Sequence, residues 1–341
     1  MIAARIMRYS LPLAFLASTA GFTASAEEVN IYTTREPGLI EPLLKKFTEE
    51  TGITVNTLFV EQGLAERVAS EGDNSPADIL MAVDVGNLVD LVDAGVTQPI
   101  VSETLDAAVP ANLRGADNQW TTLSLRARVL YADKDLDLSS FTYEELADPK
   151  WKGKVCIRAG QHPYNTALIS AYLTKHGEEA TKEWLTNVKA NLARKAGGGD
   201  RDVARDILGD ICDIGPANSY YVGLMRSGKG GEEQVAWGNA IKVILPTFEG
   251  GGTHVNISGA AIAKNAPNKD AAVKLLEFLV SEEGQQLYAH ANYEYPVKAG
   301  VAPDEIIAAL GTLNVDSLHL DEIAANRKKA SELVDEVGFD G

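Results

Sequence analysis

Hydrophobic positions recur along this chain in two alternating rhythms: short β-branched runs, and longer stretches with an apolar residue every three or four positions. Val29-Asn30-Ile31-Tyr32-Thr33 predicts a first strand, and Leu39, Ile40, Leu43, Leu44 and Phe47 share one face of a helix after it. Ile53 to Val60 predicts a second strand, Asp78 to Val83 a buried third, and Leu88 to Val92 a helix beyond that. This β-α-β-α-β order implies a parallel sheet with helices on both faces. A second set of elements starts near Arg126 to Tyr131 and runs to Ile241 to Leu245. The stretch Val255 to Pro296 predicts a strand at Gly259 to Ala263 and two helices, and the C-terminal residues read as helical. Gly197 to Gly199 and Gly228 to Gly231 mark loops. The fold class is α/β.

The N-terminus sets the compartment. Arg5 and Arg8 precede an apolar stretch from Leu11 to Phe22, and Ala24-Ser25-Ala26 is a small-residue cleavage site. Residues 1–26 read as a secretory signal peptide, because the apolar stretch is too short to span a bilayer. No Cys follows the cleavage site, so no lipid anchor is expected. The expected product is an exported protein, most simply periplasmic, without stable membrane insertion. The chain is 45% hydrophobic and 23% charged, which suits a full core, and its length suggests two domains. The net charge is −17 over the whole chain and −19 without Arg5 and Arg8. Such acidity excludes nucleic acid and acidic membranes as partners and is compatible with a cationic ligand.

Two cysteines, Cys156 and Cys212, lie in the strand-like runs Lys154-Val155-Cys156-Ile157 and Asp210-Ile211-Cys212-Asp213. In an oxidising compartment an even pair reads as a disulfide, with two buried free thiols as the alternative.

The candidate chemistry is phenolic. Tyr220 and Tyr221 stand side by side in Asn218-Ser219-Tyr220-Tyr221-Val222-Gly223, between a strand-like run (Ile211 to Ile214) and a short helical run (Val222 to Arg226). A phenol has a free pKa of about 10, so at neutral pH it ionises only beside a strong Lewis acid or a cation. Two phenols at one helix start point to a hard, highly charged metal ion; the plainer alternative is one core and one surface tyrosine. No G-x-S-x-G, Walker loop, H-E-x-x-H or C-x-x-C is present. Of His162, His176, His254, His290 and His319, no two have helical metal-ligand spacing; His162 stands two residues from Tyr164. No enzyme is expected.

Several segments, in order along the chain, carry a resemblance. They are Ile31-Tyr32-Thr33-Thr34-Arg35, Pro76-Ala77-Asp78-Ile79, Leu123 to Val129, Lys152 to Arg158, Ala217 to Tyr221, Gly252 to Gly259, and Asn292-Tyr293-Glu294-Tyr295-Pro296-Val297. Together they resemble the periplasmic ferric-ion-binding proteins, the solute-binding components of bacterial Fe(III) ABC importers. The resemblance implies a two-lobed, type II periplasmic binding protein fold, each lobe a mainly parallel sheet flanked by helices. Lobe one would comprise residues 27–124 and 247–300, and lobe two residues 125–246 and 301–341. Two hinge strands would join them, near Ser124 to Arg128 and Ile244 to Thr247.

The resemblance also implies a ligand set: Tyr220 and Tyr221 as a pair and Tyr164 as a third phenolate. Asn165-Thr166 and Asn218-Ser219 would cap the helices that carry them. The positive end of each helix dipole would then favour phenolate. One departure matters. Where relatives carry His-Tyr after the first strand, this chain has Glu36-Pro37. Glu36 is left as a possible carboxylate donor, and Asp84 as a metal ligand or outer-sphere group. Tyr32 and Tyr295 also read as cleft neighbours or core. Open coordination sites would go to water or to a synergistic anion such as carbonate, held by Arg35 and Arg126. The expected cargo is Fe(III), the partner an inner-membrane ABC importer permease, and the working form a monomer. The alternative is a binding protein for a polyamine, phosphate or another metal on the same fold.

Overall fold

The computed structural model describes residues 27–341. The signal peptide read at residues 1–26 lies outside the described residues. The chain opens with β1 (Glu28–Thr33), α1 (Glu41–Thr51), β2 (Thr54–Phe59), α2 (Leu64–Glu71), β3 (Ile79–Val83) and α3 (Val85–Asp93). The helix α1 buries Leu43, Leu44 and Phe47 and ends at Gly52, whose φ of 74° suits a residue without a side chain. A short β4 (Thr97–Gln98) and α4 (Glu103–Ala108) lead into the long strand β5 (Thr121–Asp133). Next come α5 (Pro163–His176), α6 (Glu178–Ala190), α7 (Asp200–Leu208), β6 (Ile214–Asn218), α8 (Tyr220–Arg226), α9 (Glu232–Ala240) and β7 (Ile241–Ile244). The chain closes with β8 (Val255–Ala263), α10 (Lys269–Leu279), α11 (Glu282–Asn292), β9 (Tyr295–Pro296), α12 (Glu305–Ala308), α13 (Leu320–Ala325) and α14 (Arg327–Glu336). Among the described residues no helix is long and apolar enough to cross a membrane.

The order expected for residues 29–83 gives what it predicts: β2, β1 and β3 pair in parallel. β3 is buried for nearly its whole length, as a strand covered on both faces must be. The expectation of a mainly parallel sheet in each lobe does not hold beyond these three strands: among the described residues, β5 and β8 make only antiparallel pairings with other strands. Thr121 to Ala127 of β5 pairs antiparallel with β8, and Arg128 to Asp133 pairs antiparallel with β6 and β7. β5 therefore passes from one sheet into the other, and the chain returns through β7 and β8. Two crossings in opposite directions make the pairings of β5 with β7 and β8 antiparallel. α13 and α14 fold back onto α5.

The strand-like runs at the cysteines are shorter than their composition suggests. β6 begins at Ile214, because Asp210 adopts a positive φ of 55° and Ile211 turns out to solvent, its N–H closing on Asp206 O at 2.9 Å. Around Cys156, among the described residues, only Val155 makes bridges, to Ile214 and Leu192. The cysteines still meet as expected: both are buried, joined by a disulfide, with Cα atoms 5.8 Å apart. The bond ties the loop before α5 to the loop before β6, the two segments that lead to Tyr164 and Tyr220.

The return crossing carries a buried histidine. His254 donates its backbone N–H to the Tyr143 hydroxyl at 3.0 Å and accepts at its carbonyl from Arg128 N at 2.9 Å. Neither ring nitrogen has a hydrogen-bond partner among the described residues. Burial, with the Arg128 charge adding to it, pushes its pKa down to about 3.

Two stability outcomes follow from these contacts. The disulfide closes a loop spanning a separation of 56 residues, for which the chain-entropy estimate is roughly 4 kcal/mol. The Cys156→Ala/Cys212→Ala variant should lose about 2–4 kcal/mol in urea unfolding; a loss below about 1 kcal/mol would contradict the bridge's role. His254 stays neutral in the fold, so its folded pKa lies below the unfolded one. Its contribution is complete above about pH 6.5 and is lost progressively as pH falls toward the folded value. From pH 7 to pH 5 that loss is about 2 kcal/mol. His254→Leu should flatten the fall in urea midpoint by that amount, and an unchanged slope would refute the assignment.

Candidate metal centre

Two helix starts bring the phenols together. α5 begins at Pro163, a residue whose fixed φ suits the first helical position. That places the cap at His162 and not at Asn165-Thr166. The His162 Nδ1 accepts the Tyr164 N–H at 3.2 Å, and its ring meets the Tyr164 ring edge-on at 4.6 Å. Burial, then the Arg158 charge, pushes His162 down to about 4, so it stays neutral at ordinary pH. The second cap differs too. Ser219 stands at the N-cap of α8 but has helical dihedrals and forms no side-chain cap bond. Tyr220 and Tyr221 are the first two residues of that helix, with ring centroids 4.1 Å apart. The Tyr164 and Tyr220 hydroxyls lie 3.2 Å apart. α8 is seated closely: a Cβ at Gly223 would fall 2.1 Å from Tyr293 Cγ, so only glycine lets the helix approach that ring.

Beneath the tyrosines lies a buried polar network. The Asp200 carboxylate accepts from Arg128 Nη1 at 2.6 Å, Arg158 Nη1 at 3.2 Å and the Asn218 backbone N–H at 2.7 Å. Arg128 Nη2 donates to Asn165 Oδ1 at 2.5 Å, and Asn165 donates in turn to the carbonyls of Arg158 and Ala159. Asn165 is thus a strut inside α5.

Four guanidinium groups surround the phenols. Arg158 and Arg126 lie 5.0 and 5.4 Å from the Tyr164 ring centre, and Arg201 lies 5.6 Å from that of Tyr221. Arg126 donates to the Ile257 carbonyl at 2.6 Å. Arg35 is bound elsewhere: it pairs with Glu294 at 2.9 Å and donates to Ser258 Oγ at 2.7 Å. Burial works against the Glu294 charge, but Arg35 and Arg126 overcome it and hold its carboxyl below the usual range. Among the described residues Arg126 and Arg201 form no ion pair, whereas Arg35 pairs with Glu294 and Arg158 with Asp200. The unpaired cations that face the phenols are therefore Arg126 and Arg201.

Burial, then the neighbouring tyrosines Tyr221 and Tyr164, raises the Tyr220 pKa well above its ordinary value. Burial raises Tyr221 as well. All three phenols line a cleft of about 380 Å³, together with Arg35, Glu36, Arg126, Arg201, Asn292 and Glu294. Glu36 is exposed, on the wall contributed by the segment after β1.

Asp84 does not join them. It caps α3, accepting from Gly86 N at 2.8 Å and Asn256 Nδ2 at 2.6 Å, and lines a separate cavity beside Pro163 and Arg327. Both of its oxygens are thus engaged. Tyr32 donates to Glu71 at 3.2 Å, away from the cleft, and Tyr295 faces a different cavity. Arg158, Arg201, Asn292 and Glu294 are additions that the residue pattern alone does not single out. Arg158, Asn292 and Glu294 fall inside segments that carry the resemblance, which is the one signal for them. Arg201 lies on a polar helix and has none. Among the described residues no group of three or more His, Cys, Asp or Glu could hold a metal ion, whereas three phenols share this cleft.

Residues 74–310 match the family described as bacterial extracellular solute-binding protein. Iron uptake protein A1 of Synechocystis sp. is 40% identical over 334 residues, covering 96% of this chain and 91% of that protein. A solved Bordetella ferric binding protein is 67% identical, with a TM-score of 0.90, covering 92% of this chain and 100% of its own. A Trichodesmium protein solved in complex with iron and citrate ligands is 39% identical, with a TM-score of 0.87, covering 92% of this chain and 99% of its own. The chain belongs to the bacterial extracellular solute-binding proteins and has their two-lobed, type II periplasmic binding fold.

Proposed function

We propose that this protein captures Fe(III) in the periplasm on the phenol oxygens of Tyr164, Tyr220 and Tyr221. It then delivers the ion to an ABC importer permease in the inner membrane, acting as a monomer without catalytic turnover. The observation that carries this reading is the convergence of three phenols, two of them with hydroxyls 3.2 Å apart, beneath unpaired guanidinium groups. Relatives named for iron uptake and ferric binding support it.

Three phenolates neutralise the three charges of Fe(III), and the bound ion reverses the pKa logic of its neighbours. Burial that keeps Tyr220 protonated in the empty site becomes an advantage once iron is present, because a dry site strengthens every charge interaction. The guanidinium groups over the rings favour the phenolate form. Arg126 and Arg201, left without carboxylate partners, would hold an oxyanion such as carbonate or citrate on the remaining iron positions, since guanidinium presents paired donors to such groups. Arg35 supports this arrangement by positioning Glu294. Glu36 would close the cleft from lobe one, as an oxygen donor or through a water.

The lobes in this reading are residues 27–124 with 247–300, and 125–246 with 301–341. Iron meets the phenols of lobe two first. A hinge motion where β5 and the β7–β8 connection cross between the sheets then closes lobe one over it. The closed form docks on the permease, and opening there releases the ion.

Two outcomes test this. Purified protein given ferric citrate should show a visible phenolate-to-iron charge-transfer band, lost or much weakened in Tyr220→Phe/Tyr221→Phe, which keeps only Tyr164. Asp200→Asn, which loosens the support without touching a donor, should keep the band but weaken iron binding roughly 10–100-fold. A band of wild-type position and intensity in the double Phe variant sinks the proposal. Because phenols bind iron only after losing their protons, capture should release roughly three protons per ion. Apparent affinity, measured against a citrate competitor, should therefore fall steeply from pH 8 to pH 6. A flat profile would be incompatible with tyrosinate ligation.

A further inference from the structure

A second and larger cavity, of about 1100 Å³, lies back to back with the metal cleft. Strand alternation places it there. On β5, Arg126 lines the cleft while Leu125 lines this cavity; at β9, Glu294 lines the cleft while Tyr295 lines the cavity. Leu125 and Tyr295 are directly paired across the ladder, so one sheet separates the two spaces. The far wall is the segment from Ala308 to Ser317, and a third side comes from Pro110 to Leu113.

The walls are held by contacts that do not depend on a ligand. Gln285 accepts the Val297 N–H at 2.7 Å. Thr253 N donates to Asn314 O at 2.7 Å, and Asp316 N donates to Thr253 O at 3.0 Å. The lining is mostly apolar, with Leu113, Leu125, Val297, Leu313 and Val315 around it. Two charged residues border it. Asp316 is already neutralised by Lys175 at 3.0 Å and by the Gly252 N–H at 2.8 Å. Lys298 is not: among the described residues it forms no ion pair. A mostly apolar open groove with one cation free of ion pairs calls for a ligand with an apolar body and one negative head. We infer that this cavity is a second ligand site, distinct from the metal cleft, that takes a small apolar carboxylate.

Octanoate and the fluorescent anion 1-anilinonaphthalene-8-sulfonate are the probes, used with the full folded chain. One fluorescent probe per chain should bind saturably and be displaced by octanoate. Leu313→Trp, which puts a bulky indole on the lining, should weaken this binding severalfold. Lys298→Ala should weaken octanoate roughly 10-fold. Uncharged 1-octanol should compete more weakly than octanoate in the wild type and equally in Lys298→Ala. Tyr220→Phe/Tyr221→Phe should bind both probes normally. The inference fails if binding is not saturable, if Leu313→Trp binds as the wild type does, if octanol competes as well as octanoate, or if the double Phe variant loses the probes.

Discussion

One buried carboxylate holds the phenol-bearing half of this protein in register. The Asp200 side chain is wholly shielded from solvent and draws together three segments far apart in sequence: Arg128 on β5, Arg158 on the loop before α5, and the Asn218 N–H at the end of β6. A charge taken out of water is costly unless every lone pair finds a donor, and here the donors come from the segments that must be fixed. Removing one member of such a group leaves the others charged, buried and unpaired, at a cost of about 3–5 kcal/mol. The network is thus specific in a way that apolar packing is not. It closes only when the start of α5 and the start of α8 stand where Tyr164 and Tyr220 meet.

The electrostatics of the cleft follow from that scaffold. Burial opposes ionisation of Tyr220, and proximity to Tyr221 and Tyr164 opposes it further. An empty site of this kind does not hold three phenolates. The guanidinium groups of Arg126, Arg158 and Arg201 lie against two of the rings at 5.0–5.6 Å, which offsets part of the cost without supplying a counter-ion that would block the metal. Arginine suits this task because it stays charged at any pH the protein meets and stacks on a ring face.

Most of this plan is legible in the sequence, and the remainder is hidden for physical reasons. Periodicity locates β1, α1, β2 and β3 because a buried strand and a one-faced helix leave different apolar patterns. It places the start of β6 three residues early, because Ile211 is apolar yet exposed at 48%, and a positive φ at Asp210 turns the chain first. The cap of α5 falls at His162 because Pro163 fixes the helix start, a stronger constraint than the capping propensity of Asn165. Arg158 and Asp200 read individually as a loop cation and a first-turn acid. Only the tertiary fold puts them in contact, across 42 residues. Arg201 is harder still, since its partners are the face of Tyr221 and the Gln234 amide oxygen, neither of which leaves a charge pattern in a sequence.

The two walls of the cleft contribute unequally, and that inequality has a mechanical meaning. The wall from α5 and α8 offers phenols. The opposite wall offers Arg35 locked to Glu294, and Glu36 exposed beside Pro37. The Arg35–Glu294 pair is fully buried and further tied to Ser124 and Ser258, so it is a rigid abutment and not a mobile donor. Glu294 also faces Arg126, whose backbone belongs to the strand that runs through both sheets. Any rotation of one sheet against the other therefore acts on Arg126 between a fixed anion on one side and the Tyr164 ring on the other. Arg126 lies at the point where lobe geometry and site charge meet, which makes closure a matter of where its positive charge comes to rest.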